Sequence, residues 1–315
     1  MNLTTAQLKV AVFGMSDLGR VRTNNEDNYL FTQVGSGLIN AVSPDSQNTD
    51  NQWIFIVADG MGGGQAGEIA SQLAVEGVAR NFADQLPAKK KLTQQAFAKA
   101  LTHAVEETNR SIFQESLKNQ ELTGMGTTLT AAAVYGTILT VAQLGDSRAY
   151  LLRDGGITQL TKDQSLVAQM VEAGKITSQQ AKTHPRRNVI LQAMGVQPRV
   201  DVAIATANLN RNDRVVLCSD GLWGKVEPEE ILEFVHRFEP QAACESLVRL
   251  ANERGGEDNV TVIVANFTGD AAFDTGETKI PTLEIPKQKP SWWRFWRRRL
   301  VNSRLRVATS KQITF

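Results

Sequence analysis

Cysteine is nearly absent from this chain of 315 residues, which contains only Cys218 and Cys244. Both stand among apolar residues, so the sequence predicts two small buried hydrophobic side chains and no disulfide framework. No apolar run reaches the ~18 residues that a membrane-spanning helix needs, and no basic patch precedes an apolar stretch at the N-terminus. These absences predict neither a signal peptide nor a transmembrane helix, and they favour a reducing, cytoplasmic location.

Several motifs of nucleotide-binding and metal enzymes are also missing. No glycine-rich loop ends in Gly-Lys-Ser or Gly-Lys-Thr, which excludes a P-loop nucleotide site. The glycine-rich run over residues 60–64 follows an apolar segment but lacks the spacing of a dinucleotide-binding loop. The three histidines, His103, His184 and His236, are far apart and do not have the spacing of zinc ligands. No Gly-x-Ser-x-Gly nucleophile motif is present.

Acidic residues are absent from the C-terminal end of the chain. Residues 287–315 contain nine Lys or Arg and no Asp or Glu, so the remainder carries 25 basic and 33 acidic residues. This division predicts a body over residues 1–268, a linker over 269–290 and a basic aromatic tail over 291–315. The excess of acidic residues in the body fits either a cation site or an ordinary charged surface.

The tail combines aromatic and basic side chains. Its aromatic residues are Trp292, Trp293, Phe295 and Trp296, and its neighbouring basic residues are Arg294, Arg297, Arg298 and Arg299. This composition is typical of docking on an anionic membrane surface, here the inner membrane face, or on an acidic partner. A disordered, solvated tail is the alternative, although three tryptophans in five residues argue against simple solvation. Nucleic acid is the least favoured ligand.

Hydrophobic periodicity predicts the elements of the body. One helix of about 18 residues follows the glycine-rich run, and a second begins near Thr93, a predicted N-cap. The apolar stripes of these two helices are Ile69, Leu73, Val78 and Phe82 in the first, and Phe97, Leu101, Val105, Thr108 and Ile112 in the second. Two more helices are predicted over 228–238 and 240–254. Strands are predicted over 10–13, 28–31, 53–58, 127–134, 138–144, 149–153, 200–206, 214–219 and 260–267.

The order of these elements does not alternate as βαβ units do. It favours an α+β fold, a four-layer α/β/β/α sandwich in which two antiparallel sheets pack face to face with helices outside. Residues 161–197 interrupt the strands with short helices, with Ser178 as a predicted cap and a break at His184-Pro185. Such a long excursion between strands is typical of a functional flap.

Short acidic motifs stand at the ends of the apolar runs. They are Glu26-Asp27, Asp59-Gly60, Asp146, Asp220-Gly221 and Asp258-Asn259. Taken singly, these motifs are ordinary turn formers. Taken together they place carboxylates at the rim of a core, where they repel one another unless a cation joins them. Oxygen ligands favour hard divalent cations such as magnesium, manganese or calcium.

Arg22 adds a phosphate-binding group to this acidic pattern. A guanidinium matches two phosphate oxygens with its planar fork, although a lone arginine is more often part of a surface salt bridge. Two divalent ions about 3.5–4 Å apart lower the pKa of a shared water and clamp the oxygens of an in-line displacement at phosphorus. The combined pattern therefore predicts phosphoester hydrolysis, provided that the motifs converge.

Six motifs stand in the order found in the metal-dependent protein phosphatases. These motifs occupy residues 22–27, 58–63, 126–128, 144–148, 219–223 and 258–261. Over residues 10–267 the chain resembles a bacterial member of this family, the type 2C serine/threonine phosphatases, and six ordered motifs are a specific signal.

The resemblance implies a role for each site residue. Asp59 would bridge two Mn²⁺ or Mg²⁺ ions, and Asp220 and Asp258 would complete the first metal site. Glu26 and the Gly60 carbonyl would serve the second metal, mostly through waters. A further group of residues would bind the substrate phosphate, hold a third ion, or support the ligands and their waters. These are Arg22 for the phosphate, Asp146 with Asp220 for the third ion, and Asp27 and Asn259 for support.

Two departures from the family pattern stand near the site. Met61 replaces a histidine that eukaryotic members often carry after Asp-Gly, so protonation of the leaving group would fall to a metal-bound water or to another group. The flap reads Asp163-Gln164-Ser165 where the family often has Asp-His-Ser. No flap imidazole is therefore expected to take part. Arg148 is predicted to be structural, and His184 to pack locally.

The resemblance implies a monomeric phosphatase that hydrolyses phosphoserine and phosphothreonine on proteins. A metal-bridged hydroxide would attack phosphorus in line, without a phosphoenzyme. The expected partners are phosphoproteins, either a Ser/Thr kinase or its targets. The alternatives are a non-catalytic scaffold or sensor of the same fold that binds phosphoproteins, and a hydrolase of small phosphoesters. Loss of metal carboxylates would indicate the scaffold, but every matched position is filled here.

Overall fold

The computed structural model describes residues 8–34, 52–62, 65–86, 92–269 and 282–284. Most of the predicted linker over 269–290, and the whole of the tail over 291–315, lie outside the described residues. The described part of the linker contains a short strand, Thr282–Glu284, which pairs with the body of the protein. The boundary at residue 268 stays a prediction.

The described strands form two sheets in which every pairing is antiparallel. They are β1 Leu8–Asp17, β2 Asp27–Gln33, β3 Gln52–Met61, β4 Gly126–Thr127, β5 Leu129–Tyr135, β6 Ile138–Leu144, β7 Arg148–Arg153, β8 Gly156–Gln159, β9 Ala203–Asn208, β10 Arg214–Cys218, β11 Val260–Gly269 and β12 Thr282–Glu284. The first sheet has the order β1-β11-β10-β7-β8. The second has the order β12-β9-β6-β5-β3-β2, with β4 paired to β3.

Four longer helices cover the sheets, and three further helices are short. They are α1 Gln65–Gln85, α2 Gln94–Lys118, α3 Leu166–Glu172, α4 Ser178–Lys182, α5 Asp220–Trp223, α6 Pro228–Arg237 and α7 Pro240–Glu253. A single 3₁₀ turn, Gln120–Leu122, follows α2. The predicted helices and strands of the body are all present, and most boundaries agree to within a few residues.

Strand β3 shows why two sheets stack. Its side chains are buried on both faces, and alternation sends Ile54 and Ile56 to the helix side and Phe55 and Val57 to the other sheet. Three separate apolar cores result: one between α1, α2 and the second sheet, one between the sheets, and one between the first sheet and α5–α7. Three cores separate four layers, so the predicted α/β/β/α sandwich is confirmed.

Helices α1 and α2 pack as their periodicity predicts. The whole predicted stripe of α2 is buried, and Thr93 caps the helix by accepting a hydrogen bond from the Ala96 amide at 3.2 Å. In α1, Val78 and Phe82 are fully buried and the remaining two stripe residues are partly buried. These helices therefore hold the second sheet, including the strand that carries Asp59, in a fixed position.

The predicted flap, residues 161–197, contains α3 and α4 and has few buried side chains. Neither of its helices buries a residue. Thr177 caps α4 in a capping box, whereas the sequence pattern pointed to Ser178; both residues are hydroxyl-bearing neighbours, and the helix begins one residue earlier than expected. The flap is held at its base by pairing between its first residues and residues 189–191.

Both cysteines are fully buried as free thiols, as the sequence predicts. Burial raises the pKa of each thiol to about 12, so neither is poised for nucleophilic chemistry. Among the helices that the structure describes, none combines the length and the apolar character needed to cross a membrane.

Candidate active site

The acidic motifs meet at one end of the sandwich. Asp27 and Asp59 are direct partners across β2 and β3. Asp146 follows the end of β6, Asp220 follows the end of β10, and Asp258 precedes the start of β11. Because these strand ends lie at the same edge of the two stacked sheets, five carboxylates from distant parts of the sequence converge there.

A cavity of about 440 Å³ opens at this edge. Its lining comprises Arg22, Thr23, Asn24, Glu26, Asp59, Gly60, Met61, Gly62, Thr128, Asp146, Asn188, Ile190, Asp220, Asp258 and Asn259. Eight of the nine predicted site residues are among them, and the ninth, Asp27, is buried behind the cavity. We call Asp59, Asp146, Asp220 and Asp258 the acidic cluster.

Arg22 lies at the mouth of the cavity and contacts the acidic cluster directly. Its Nε and Nη2 atoms each lie 2.9 Å from an oxygen of Asp258, which makes a two-pronged ion pair. The hydrogen bond that Arg22 donates to Asp258 is the main reason why the pKa of Arg22 is raised. About half of the arginine side chain is exposed. The guanidinium therefore pairs with Asp258 while half of the side chain stays accessible at the cavity.

The backbone around Asp59 is fixed by hydroxyl groups from β4 and its flanking residue. The Asp59 amide donates to Thr128 Oγ1 at 2.9 Å, and the Asp59 carbonyl accepts from the Thr127 hydroxyl and the Thr128 amide. Gly60 follows at a close approach to α1: a Cβ there would lie 2.2 Å from the Gly67 carbonyl oxygen. Only glycine fits, so the Gly60 carbonyl keeps its position beside the cavity.

Asp27 and Asn259 hold the site from behind. Ser219 donates to Asp27 Oδ2 at 2.7 Å, and burial raises the pKa of Asp27 to about 7. Asn259 Oδ1 accepts from the Glu26 amide at 2.9 Å, while its Nδ2 donates to the carbonyls of Leu18 and Asn24 at 3.0 Å. Asn259 thus fixes the loop between β1 and β2, which carries Arg22 and Glu26.

Asp146 is buried and Asp220 is half-buried, and both carboxylates have little compensation. Burial, followed by the charge of Asp220, raises the pKa of Asp146 to about 8. Burial, followed by the charge of Asp258, raises the pKa of Asp220 to about 6. Among the described residues, Asp220 Oδ1 has no hydrogen-bond partner although it is buried. An orphaned carboxylate oxygen facing other carboxylates is the environment that a cation would complete.

Asp59 stands at the centre of the repulsion. Its pKa is raised well above the usual value, first by burial and then by the charges of Asp27, Asp220 and Asp146. Burial likewise raises the pKa of Glu26. Such a group of oxygen ligands fits hard divalent cations, and neither cysteine nor histidine is among the described residues that line the cavity. The donor set therefore fits a pair of such ions.

The four carboxylates of the acidic cluster line one cavity but do not meet at a single point. No group of three or more Asp, Glu, His or Cys side chains in the described part of the chain is already drawn together as a metal-binding cluster. Asp258 is held by Arg22, and Glu26 lies against α1 at Gly67. The individual ligand roles that the sequence resemblance implied thus stay predictions.

Three residues that contribute to the site, Thr128, Asn188 and Ile190, were given no role from the sequence. Thr128 links Asp59 to the Ser147 hydroxyl, 2.8 Å away, and so joins two of the acidic motifs. The flap residues Asn188 and Ile190 line the cavity. The Gly-Thr-Thr run over 126–128 was a detectable signal, since it is one of the six ordered motifs. Nothing in the sequence alone marks residues 188 and 190, because their position depends on how the flap folds back.

Comparison with known proteins identifies the family. The model of the family described as protein phosphatase 2C matches residues 40–254. A serine/threonine phosphatase, stp, of Listeria monocytogenes is 38% identical over 252 residues, which cover 79% of this chain and 92% of that protein. The chain therefore belongs to the protein phosphatase 2C family, and its assignment to the protein serine/threonine phosphatases is confirmed.

Solved structures agree with this assignment. The crystal structure of the Mycobacterium tuberculosis serine/threonine phosphatase PstP/Ppp is 37% identical and superposes with a TM-score of 0.68, covering 83% of this chain and 99% of that one. A structure of the catalytic domain of PstP in complex with two manganese ions is 35% identical with the same TM-score, and covers 83% of this chain and all of that one. The predicted bacterial type is thereby confirmed.

Proposed function

We propose that this chain hydrolyses phosphoserine and phosphothreonine on proteins with two Mn²⁺ or Mg²⁺ ions bound at the acidic cluster. The observation that carries the proposal is the cavity in which carboxylates from both sheets and the Arg22 guanidinium meet. Relatives that are 34–38% identical bear the name of serine/threonine or protein phosphatases. A relative solved with two manganese ions supports the same metal pair here.

The residues divide the work as follows. Asp59 would bridge the two ions, Asp220 and Asp258 would complete one site, and Glu26 with the Gly60 carbonyl would serve the other. When bound, the ions would supply the acidity that activates water for in-line attack on phosphorus and the positive charge that offsets the phosphate. Because water is then the nucleophile, no phosphoenzyme is needed.

Arg22 would orient the phosphate. Two of its nitrogen atoms contact Asp258, and its Nη1 group is the part of the guanidinium that is not engaged with that carboxylate. A guanidinium holds two phosphate oxygens in a fixed geometry, which aligns the ester bond with the attacking water. Asp27 and Asn259 keep the strand ends and the Arg22 loop in register with the metal ligands. Asp146, with Asp220, would hold a third ion.

The test is release of phosphate from a phosphothreonine peptide by the purified full-length chain. We expect release with Mn²⁺, none with EDTA, and none from Asp220→Ala even with Mn²⁺. Glu253→Ala, at an exposed position of α7, is the matched control and should behave as wild type. Peptide binding without release would instead establish the scaffold, and release from small phosphoesters alone would establish the hydrolase of small substrates.

The cellular setting is also proposed. Phosphoprotein substrates are the common feature of the named relatives, and a Ser/Thr kinase or its targets would be the natural partners. A cytoplasmic monomer, with the tail over 291–315 docked on an anionic inner membrane face or on an acidic partner, completes the proposal. Cosedimentation with anionic liposomes, comparing the full chain with residues 1–268, measures the tail's contribution directly. Equal binding by the two would remove the membrane part of the proposal.

A further inference from the structure

Arg148 makes several polar contacts near the site, and it has no part in the metal-binding or phosphate-binding roles proposed above. Its Nε and Nη2 donate to the two carboxylate oxygens of Asp163 at 3.0 and 2.7 Å. Its Nη1 donates to the Tyr150 hydroxyl at 3.1 Å. The centre of its guanidinium lies 3.7 Å from the ring centroid of Trp223. Only 19% of the Arg148 side chain and 12% of the Asp163 side chain are exposed.

One arm of this network reaches the acidic cluster. Trp223, which stacks on Arg148, ends the short helix α5 that begins at Asp220. Its indole N–H donates to the carbonyl oxygen of Asp146 at 3.0 Å. Two members of the acidic cluster are therefore tied, through Trp223, to the side chain that holds Asp163.

The other arm reaches the flap. Asp163 is followed by Gln164. The backbone amide of Gln164 donates to the Gly145 carbonyl at 2.8 Å, and its side-chain Oε1 accepts from the Gly145 amide at 2.9 Å. Gln164 thus docks the start of the flap on the residue that precedes Asp146. Its carbonyl also accepts from the Leu191 amide at 2.7 Å.

The start of the flap supports the segment that lines the cavity. Ser165 pairs with Ile190, and the Leu166 amide donates to the Val189 carbonyl at 2.8 Å. Ile190 and the neighbouring Asn188 line the cavity. A shift of Asp163 would therefore be transmitted through residues 164–166 to the wall of the cavity.

We propose that Arg148 is a positioning residue that fixes the flap wall at residues 188–190 to the acidic cluster, and so orders the binding groove for the polypeptide around the phosphorylated residue. The inference rests on the proposed phosphatase function. A protein substrate extends beyond its phosphate and meets the flap, whereas a small phosphoester is held by the metals and Arg22 alone. Loss of Arg148 therefore impairs the peptide substrate selectively.

Lysine cannot replace arginine in this place. A lysine ammonium keeps the charge, but it has no planar fork for both Asp163 oxygens and no flat face to stack on Trp223. The Trp223 indole keeps its own hydrogen bond to Asp146, so the acidic cluster itself persists in Arg148→Lys. The substitution thus loosens the flap while sparing the metal ligands.

The matched control lies on the same strand. Arg153, at the other end of β7, makes a two-pronged pair with Asp213, at 2.9 and 2.6 Å, which is even less exposed than the pair of Arg148 with Asp163. We would measure kcat and KM of wild type, Arg148→Lys and Arg153→Lys with Mn²⁺, on a phosphothreonine peptide and on p-nitrophenyl phosphate. We expect Arg148→Lys to lower kcat/KM for the peptide by about 10–100-fold, mainly through KM. Its kcat/KM for p-nitrophenyl phosphate, and both values for Arg153→Lys, should stay at the wild-type level.

The outcomes separate the inference from the proposed function. Equal losses on both substrates, or a peptide KM equal to that of Arg153→Lys, would overturn the positioning role. A wild-type chain without activity on either substrate would instead contradict the phosphatase proposal. If Arg148→Lys does not fold, Asp163→Asn, which keeps the shape and one acceptor oxygen, should raise the peptide KM in the same selective way. An unchanged KM in that variant would equally overturn the inference.

Discussion

The two ends of strand β7 differ in how their buried charges are compensated. We call the end at Arg148, beside the cavity, the near end, and the end at Arg153 the far end. At the far end, Asp213 accepts two hydrogen bonds from Arg153 and one from the Asn210 amide, so its charge is fully matched. At the near end, about 17 Å away along the strand, carboxylates outnumber the arginines, and both arginines there are already paired. Burial and mutual repulsion raise the pKa values of Asp59, Asp146 and Asp220 as a result.

The difference shows which end is arranged for stability and which for chemistry. A buried charge is tolerated when a partner of fixed geometry satisfies it, as at the far end. At the near end the carboxylates have too few cationic partners, and the folded state therefore has a site that a divalent cation completes. Substitutions at the two ends should accordingly have opposite effects on stability and activity.

The largest effect is expected for Asp59→Asn. Removal of the central carboxylate should lower phosphate release by at least about 10³-fold, since a shared metal ligand contributes more than a single transition-state hydrogen bond. In EDTA the same variant should be more stable than wild type, because it removes a carboxyl group whose ionised form is disfavoured by burial and by the neighbouring charges. Activity assays with Mn²⁺ and urea unfolding in EDTA measure the two effects. A variant that is both active and less stable would contradict the conclusion that the near end is arranged for chemistry and the far end for stability.

The far end should respond in the opposite sense. Arg153→Met leaves Asp213, which is 1% exposed, as an uncompensated buried charge. Breaking a buried pair in this way should lower the free energy of unfolding by about 3 kcal/mol. kcat and KM at 25 °C should not change, since the pair lies at the opposite edge from the cavity. Urea unfolding and steady-state kinetics on the same preparation measure both quantities, and a fall in kcat would show that the ends are coupled.

Local sequence patterns predicted the acidic motifs at the near end, but not the interactions that hold the neighbouring flap in place. The acidic motifs were visible because each interrupts an apolar run, and antiparallel pairing brings such interruptions to one edge. The α2 stripe and the Thr93 cap follow from a period of 3.6 residues and from local hydrogen bonding. The partnership of Arg148 with Asp163 was not predicted, because it depends on how residues 161–197 fold back. Short elements such as β8 were missed, since a four-residue exposed hairpin strand has no apolar pattern.

The smallest expected effect is the pH dependence of stability in the absence of metal. The folded chain keeps protons on Asp27, Asp146 and Asp220, whose pKa values lie at about 7, about 8 and about 6, whereas in the unfolded chain these groups ionise near their usual value of 3.8. The folded state therefore binds more protons than the unfolded state, and stability should fall as pH rises through this range.

Urea unfolding in EDTA at pH 5.5 and pH 8.5 would measure this dependence. We expect the free energy of unfolding to be about 2 kcal/mol lower at pH 8.5. Asp146→Asn should reduce the difference, because Asp146 has the highest pKa of these three carboxyl groups. Mn²⁺ should oppose the trend, since metal ligands must be deprotonated and binding strengthens as pH rises. A wild-type stability that is constant or rises between these pH values would show that the near end carries no uncompensated charge.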